Sequence, residues 1–234
     1  MLEILLVSNF SMKDELADAL NKRGCILNDY LIQDIHHIER YPIDDEYETI
    51  IIQSANAIKK IDSSNNHIYN TKRIYGIGPN CKQWSEKKFG IKCIIPENDF
   101  SSNGLVERIK ADEYKLGKTL LLKGIGGKNI IEEYLKSINI DFKICNVYER
   151  ILNKRNLEIV KQKAKEGTVI IGFSRSSVEP LISDNSIDLK GIHFFVLNKS
   201  DEDIIDKEQV KSLTKIDDIY DVEDLAEKIR KVNE

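Results

Sequence analysis

Apolar runs recur along the chain without polar alternation. They are ILLV in ILLVSNF (4–10), TIII in TIIIQSANA (49–57), RIYGI in RIYGIGPNC (73–81), TLLL in TLLLKGIGGKN (119–129) and TVII in TVIIGFSRSS (168–177). Strands covered by helices on both faces have this composition. Each run ends at Gly, Ser or Asn, just ahead of a helical stretch such as IIEEYLKSI or VEPLI. GIHFFVLN (191–198) adds a further strand. Strands interleaved with helices in this way predict doubly wound parallel sheets, the flavodoxin or Rossmann-like form of the α/β class. Each strand-to-helix junction presents unpaired backbone N–H groups and the positive end of a helix dipole. Repeated junctions of that kind suit a ligand with several anionic groups.

The helical pattern predicts a first helix over 12–23, with Ser11 as N-cap, Leu16, Ala17, Ala19 and Leu20 as its apolar face, and Gly24 as its stop. CILNDYLIQDI (25–35) reads as the next strand and its exit. Ser101 or Ser102 caps a short helix, and a helix runs from Leu157 to a stop at Gly167. VEDLAEKIRKV (222–232) reads as an amphipathic helix capped by Asp221. Periodicity is lost over 36–48, which contains Pro42 and turns acidic, and a strand gives way to a polar, basic stretch in 141–156. Two such crossings imply a discontinuous layout. Residues 1–36 join 152–234 in one α/β domain, and 37–151 form the other, with a two-stranded linker between them. A ligand would then lie in a cleft facing the carboxyl ends of both sheets.

Composition narrows the partners. The chain has 234 residues, a net charge of −4 and a pI near 5.7. A duplex-binding surface needs a basic excess, so nucleic acid is disfavoured. No run approaches a membrane span in length, and the N-terminal apolar run is too short for a signal peptide, so a cytoplasmic protein is expected. Cys25, Cys81, Cys93 and Cys145 form no C-x-x-C pair and read as buried thiols of a reducing compartment. The four histidines (36, 37, 67 and 193) lack metal or triad spacing.

Two glycine turns stand out: GIG (76–78) and GIGG (124–127). Neither completes G-x-G-x-x-G, because Cys81 and Asn129 occupy the third position, and no P-loop occurs. KGIGGKN (123–129) is either an anion site flanked by Lys123 and Lys128 or a tight turn with two solvated lysines. The serines of SAN (54–56) and SRSS (174–177) either cap helices or bind a ligand carboxylate. Tyr148 closes a strand at the second crossing. Its phenol either donates a proton in the cleft or packs at a strand end.

Taken in order, five stretches resemble those of the uroporphyrinogen-III synthase family. SANAI (54–58) is similar to its T-S-x-N-A-V stretch. IYGIGPNCKQWSEKKFGIKCIIP (74–96) is similar to V-G-x-x-T-A-x-x-L…G, and FSSNGLVERI (100–109) to its S-x-x-L-L helix. Residues 120–150 are similar to R-G-x-x-x-R…L…L…G…V-x-x-Y, and IIGFSRSSVEPLI (170–182) to F-T-S-x-x-x-V-x-x-L.

The resemblance implies two α/β domains joined by a two-stranded linker. It implies cyclisation of the linear tetrapyrrole hydroxymethylbilane with loss of water and inversion of the last pyrrole ring, by a monomer without metal or organic cofactor. The family's tyrosine falls on Tyr148, which would assist departure of the hydroxyl. Substrate contacts fall on Ser8, Asn9, Ser54, Ala55, Asn56, Gly78, Cys81, Lys123, Gly124, Gly126, Gly127, Lys128, Ser174, Ser176, Ser177 and Ser200. At Cys81 a thiol replaces a threonine hydroxyl. SNF (8–10) replaces T-R-P, and lysines at 123 and 128 replace arginines, which keeps the charge but not bidentate geometry. A non-catalytic two-domain protein for a small polyanion and a nucleotide-dependent transferase are the alternatives.

Overall fold

A computed structural model describes residues 2–8, 12–39, 43, 45–59, 61, 71–112, 114–183, 187–197 and 202–232. In chain order its elements are β1 (Leu2–Leu6), α1 (Lys13–Asn21), β2 (Cys25–Asp29), β3 (Gln33–His37), β4 (Thr49–Ile52), α2 (Asn56–Lys59), β5 (Arg73–Gly76), α3 (Pro79–Phe89), β6 (Cys93–Ile94), α4 (Ser102–Ala111), β7 (Thr119–Gly124), α5 (Ile130–Ser137), β8 (Phe142–Leu152), α6 (Lys154–Lys163), β9 (Val169–Gly172), α7 (Arg175–Ile182), β10 (His193–Val196), β11 (Ser212–Lys215) and α8 (Val222–Lys231). They fall into two units. The first comprises Met1–Asp34 and Ile151–Glu234, the second Ile35–Arg150.

The first unit carries a sheet of order β11-β10-β9-β1-β2. Its neighbouring strands pair in parallel. Alternate residues of its buried strands face different helix layers, as the pleat requires. Ile4, Leu6, Val169, Ile171 and Phe195 pack with Leu16, Leu20, Leu225 and Ile229 of α1 and α8. Leu5, Ile170, Phe194 and Val196 pack with Leu157, Val160, Val178 and Leu181 of α6 and α7. Ile4 and Leu5 are both 0% exposed. Each such side chain contributes about 1.5–3 kcal/mol on burial. Burial on both faces is why these runs show no alternation of apolar and polar residues.

The second unit follows the same logic. Its sheet order is β3-β8-β7-β4-β5-β6. The pairs β4–β5, β4–β7, β5–β6 and β7–β8 are parallel. Ile50, Ile52, Ile74, Leu120 and Leu122 pack with Ala57, Ile58, Cys81 and Phe89 of α2 and α3. Ile51, Tyr75 and Leu121 pack with Leu105, Ile109, Ile131 and Leu135 of α4 and α5.

Several local expectations shift. The segment expected as one strand over 25–35 forms two, β2 and β3. Helix α6 starts at Lys154, ahead of Leu157, because Asn153 Oδ1 accepts the Asn156 amide at 3.0 Å and caps it there. It stops at Lys163, short of Gly167. Helix α1 spans Lys13–Asn21 with Met12 at its N-cap, and Ser11 lies outside the described residues. Ser101 Oγ caps α4 through the Gly104 amide at 3.2 Å, and Asp221 caps α8 through the Asp224 amide at 3.0 Å. The short strand β11 carries no sequence signal of its own. Cys25, Cys81, Cys93 and Cys145 are free and buried. Pro42 and His67 lie outside the described residues.

Candidate functional site

In a doubly wound sheet, ligands bind beyond the carboxyl ends of the strands, where successive strands depart to opposite sides. In the second unit that point lies between β4 and β7. The chain leaves β4 towards β5 and β6 on one side, and β7 and β8 lie on the other. The residues that follow β4 and β7 are therefore neighbours. They are Gln53 and Ser54 on one strand, and the glycine turn on the other.

Lys123 organises that turn. It is 5% exposed and its partner Glu132, in the first turn of α5, is 4% exposed. Their charged atoms lie 2.5 Å apart. An isolated buried ammonium is costly, so the pairing is obligatory. The same ammonium also donates to Gly127 O at 3.1 Å, Lys128 O at 3.3 Å and Asn129 Oδ1 at 3.4 Å. Gln53 Nε2 donates to Lys128 O at 2.8 Å. The turn's carbonyls at 127 and 128 are thus drawn towards the protein. The amides of Gly126, Lys128 and Asn129 donate to no group among the described residues. Gly126 has φ +74, the left-handed region that only glycine enters without strain. At Gly127 a Cβ would lie 3.2 Å from Lys123 Cε and 3.6 Å from Gln53 Oε1. Lys128 itself is exposed, and its side chain has no partner among the described residues.

Tyr148 reaches this turn through a bulge. Lys123 pairs with Asn146 but Gly124 pairs with Tyr148, so β8 carries one extra residue there. The Tyr148 ring lies against Gly124, where a Cβ would overlap it, and Tyr148 O accepts the Ile125 amide at 2.9 Å. Tyr148 is 2% exposed and packs in the core with Leu122 and Val147. His37 lies 6.5 Å from it, ring to ring, and the Arg150 guanidinium 5.3 Å from the ring centre. The phenol makes no hydrogen bond among the described residues.

The remaining residues of this unit divide by role. Ser54 Oγ accepts the Asn56 amide at 3.2 Å, and the Ala57 amide donates to Ser54 O, so Ser54 caps α2. Ala55 and Asn56 are half-buried in that first turn. Gly78 precedes α3 in an extended conformation, and a Cβ there would lie 3.2 Å from Phe100 Cβ. Cys81 is 1% exposed and its thiol points 3.8 Å from Ile52 O, into the core. Burial pushes that thiol's pKa up to about 11.

In the first unit the corresponding point lies between β1 and β9. Ser8 is 4% exposed, and its Oγ accepts the Phe173 amide at 2.8 Å across that junction. Ser174 heads α7, and its Oγ lies 3.2 Å from Ser176 Oγ and 2.8 Å from Ser177 Oγ. Ser177 is 4% exposed, whereas Ser174 and Ser176 are half-buried. Asn9 and Ser200 lie outside the described residues.

Sequence reasoning missed Gln53 and Glu132. Glu132 stands beside Ile131 and three residues before Leu135, both 0% exposed. An acid on such a stripe is the signal that it has a buried cation to meet. Among the described residues no group of His, Cys, Asp and Glu could hold a metal ion, and no helix is long and apolar enough to cross a membrane.

Two units with parallel α/β sheets, each with small and polar residues at its strand-order reversal, define a doubly wound α/β protein. A sequence profile of uroporphyrinogen-III synthase HemD matches residues 14–196, so the chain belongs to the uroporphyrinogen-III synthase family, enzymes of tetrapyrrole biosynthesis. Among curated proteins none matches the chain by sequence. Solved structures resemble it in fold. The uroporphyrinogen-III synthetase of Helicobacter pylori 26695 is 16% identical, with a TM-score of 0.66 over 98% of this chain and 100% of that one. A mutant uroporphyrinogen III synthase of the extremely thermophilic bacterium Thermus thermophilus is 9% identical, with a TM-score of 0.64 over 99% and 100%.

Proposed function

We propose that this protein closes hydroxymethylbilane to uroporphyrinogen III, with inversion of the last pyrrole ring and loss of water. The observation that carries this reading is the turn 124–129. Its carbonyls are held inward by Lys123 and Gln53, and three of its amides lack a protein partner among the described residues. Such amides suit the carboxylates of a flexible acidic chain. The exposed Lys128 adds positive charge at the same turn.

The chemistry asks little of any one side chain. Once the hydroxyl leaves, the pyrrole nitrogen stabilises the cation, and closure without inversion needs no enzyme. The protein must hold the chain so that the substituted carbon of the last ring attacks. Orientation and exclusion of water are the levers. In this reading Tyr148 contributes only its hydroxyl, because its ring is buried against Gly124. Ser54 and Cys81 act through the shape of the α2 and α3 starts, since both side chains are turned to the protein.

The test is incubation with freshly prepared hydroxymethylbilane, followed by separation of the isomers. Isomer III is the expected product. Isomer I alone, at the rate without protein, rejects the reading. Tyr148→Phe keeps the ring and removes the oxygen, so it should slow formation of isomer III and leave KM close to wild type. Unchanged turnover removes Tyr148 from the reaction.

A further inference from the structure

The second unit has a cavity at the end of its sheet opposite the glycine turn. It measures about 460 Å³ and opens between the carboxyl-terminal ends of α4 and α5 and the segment leading into β7. Pockets for small molecules run from about 300 to 1,000 Å³. Ile109 and Leu116, each 3% exposed, are its buried apolar lining, and Tyr114, Tyr134 and the 42%-exposed Ile138 line it further. None of these residues belongs to the turns described above.

The charges around it are unevenly satisfied. Asp112, its one acidic lining residue, is already engaged: Arg73 Nη1 lies at 2.5 Å and Tyr75 Oη donates at 2.8 Å. Burial and the bond to Asp112 push the Tyr75 phenol up to about 12, so it stays a donor. The Arg73 guanidinium in turn stands 3.9 Å from the centre of the Tyr114 ring, which holds that ring in place. Lys110 Nζ lies 5.7 Å from the Tyr134 ring and pairs with exposed Glu107. Lys115 is exposed, and its side chain has no partner among the described residues. Among the described residues the result is an apolar, aromatic hollow whose lining acid is paired with Arg73, whose neighbour Glu48, beside Gly117, is paired with Lys72, and whose unpaired charge is that of Lys115.

We propose that this cavity binds a small planar aromatic carboxylate, with its ring against Tyr114 and Tyr134 and its carboxylate at Lys115. Apolar walls recognise the ring by area, and the ammonium selects the anion over a neutral molecule of the same shape. Because the cavity is remote from the carboxyl ends of the strands, this inference does not depend on the synthase reading.

Titration of 2-naphthoate into isotope-labelled full-length protein tests it by amide chemical shifts. Saturable shifts clustered at Ile109, Leu116, Gly117 and Tyr134 are expected. Lys115→Met, at an exposed position, should weaken binding at least five-fold, as should replacing the probe by neutral 2-naphthylmethanol. Lys92→Met, an exposed lysine outside the lining, should leave it unchanged. Absence of saturable shifts, shifts centred elsewhere, equal binding of the neutral probe, or indifference to Lys115→Met would each overturn the proposal.

Discussion

Glu132→Gln is the sharpest probe of how the glycine turn is built. Both side chains of the Lys123–Glu132 pair are 6% exposed, and the substitution leaves the ammonium buried without its counter-charge. Breaking one side of a buried pair costs about 3–5 kcal/mol. The chain's single tryptophan, Trp84, lies in the second unit, half-buried against its core, so its fluorescence reports on this unit. With a urea m-value of about 2 kcal/mol/M, the unfolding midpoint should fall by roughly 1.5–2.5 M. The double variant Lys123→Met, Glu132→Leu removes both charges and fills the space with apolar atoms. Its stability should return to within about 1 kcal/mol of wild type, since such replacements are often neutral. The carbonyls at 127 and 128 would then lose the ammonium that orients them, so formation of isomer III should stay low even where stability recovers. A single-variant loss under about 1 kcal/mol, or a double variant as unstable as the single one, would refute the buried-pair argument.

Three further outcomes follow from other contacts. Gly124→Ala places a methyl in the Tyr148 ring and should cost about 1–3 kcal/mol by overpacking, read by the same fluorescence; Tyr148→Leu in that background should relieve most of it. His193 is 3% exposed with Nδ1 2.7 Å from Ser212 Oγ, and burial, helped by Lys211, lowers its pKa. The fold therefore favours the neutral ring: stability is unaffected above the unfolded value near 6.5 and declines as pH falls below it, until the lowered folded value is passed. Urea titrations at pH 8 and pH 5 should show a smaller acid loss for His193→Gln than for wild type, and equal losses would sink the assignment. Burial also raises the Cys81 thiol to about 11 and the Cys93 thiol to about 12, so a disulfide exchange reagent should label these two cysteines only after denaturation.

The strands and their layering were legible in the chain because their cause is local. A run such as TLLL must be covered on both sides wherever it lies, and the observed β7 is buried throughout. The caps at Ser101 and Asp221 were legible for the same reason, since a side chain three residues from an amide needs no distant partner. The ordered stretches around 54–58, 74–96 and 170–182 carried the family resemblance, which the profile match over 14–196 bears out.

What only the tertiary structure decided was where each polar group turns. Lys123 reads as one of two flanking lysines, yet it is sealed against Glu132 while Lys128 stays in solvent. Cys81 aims at a β4 carbonyl, and a single extra residue in β8 brings Tyr148 onto Gly124. Strand β11 exists because the edge of β10 offers hydrogen bonds to a short segment without a pattern of its own. Hydrophobic burial is non-directional and is written residue by residue. Hydrogen bonds and ion pairs need atoms within about 3 Å at set angles, and distant parts of the chain meet at that precision only after the sheets have formed.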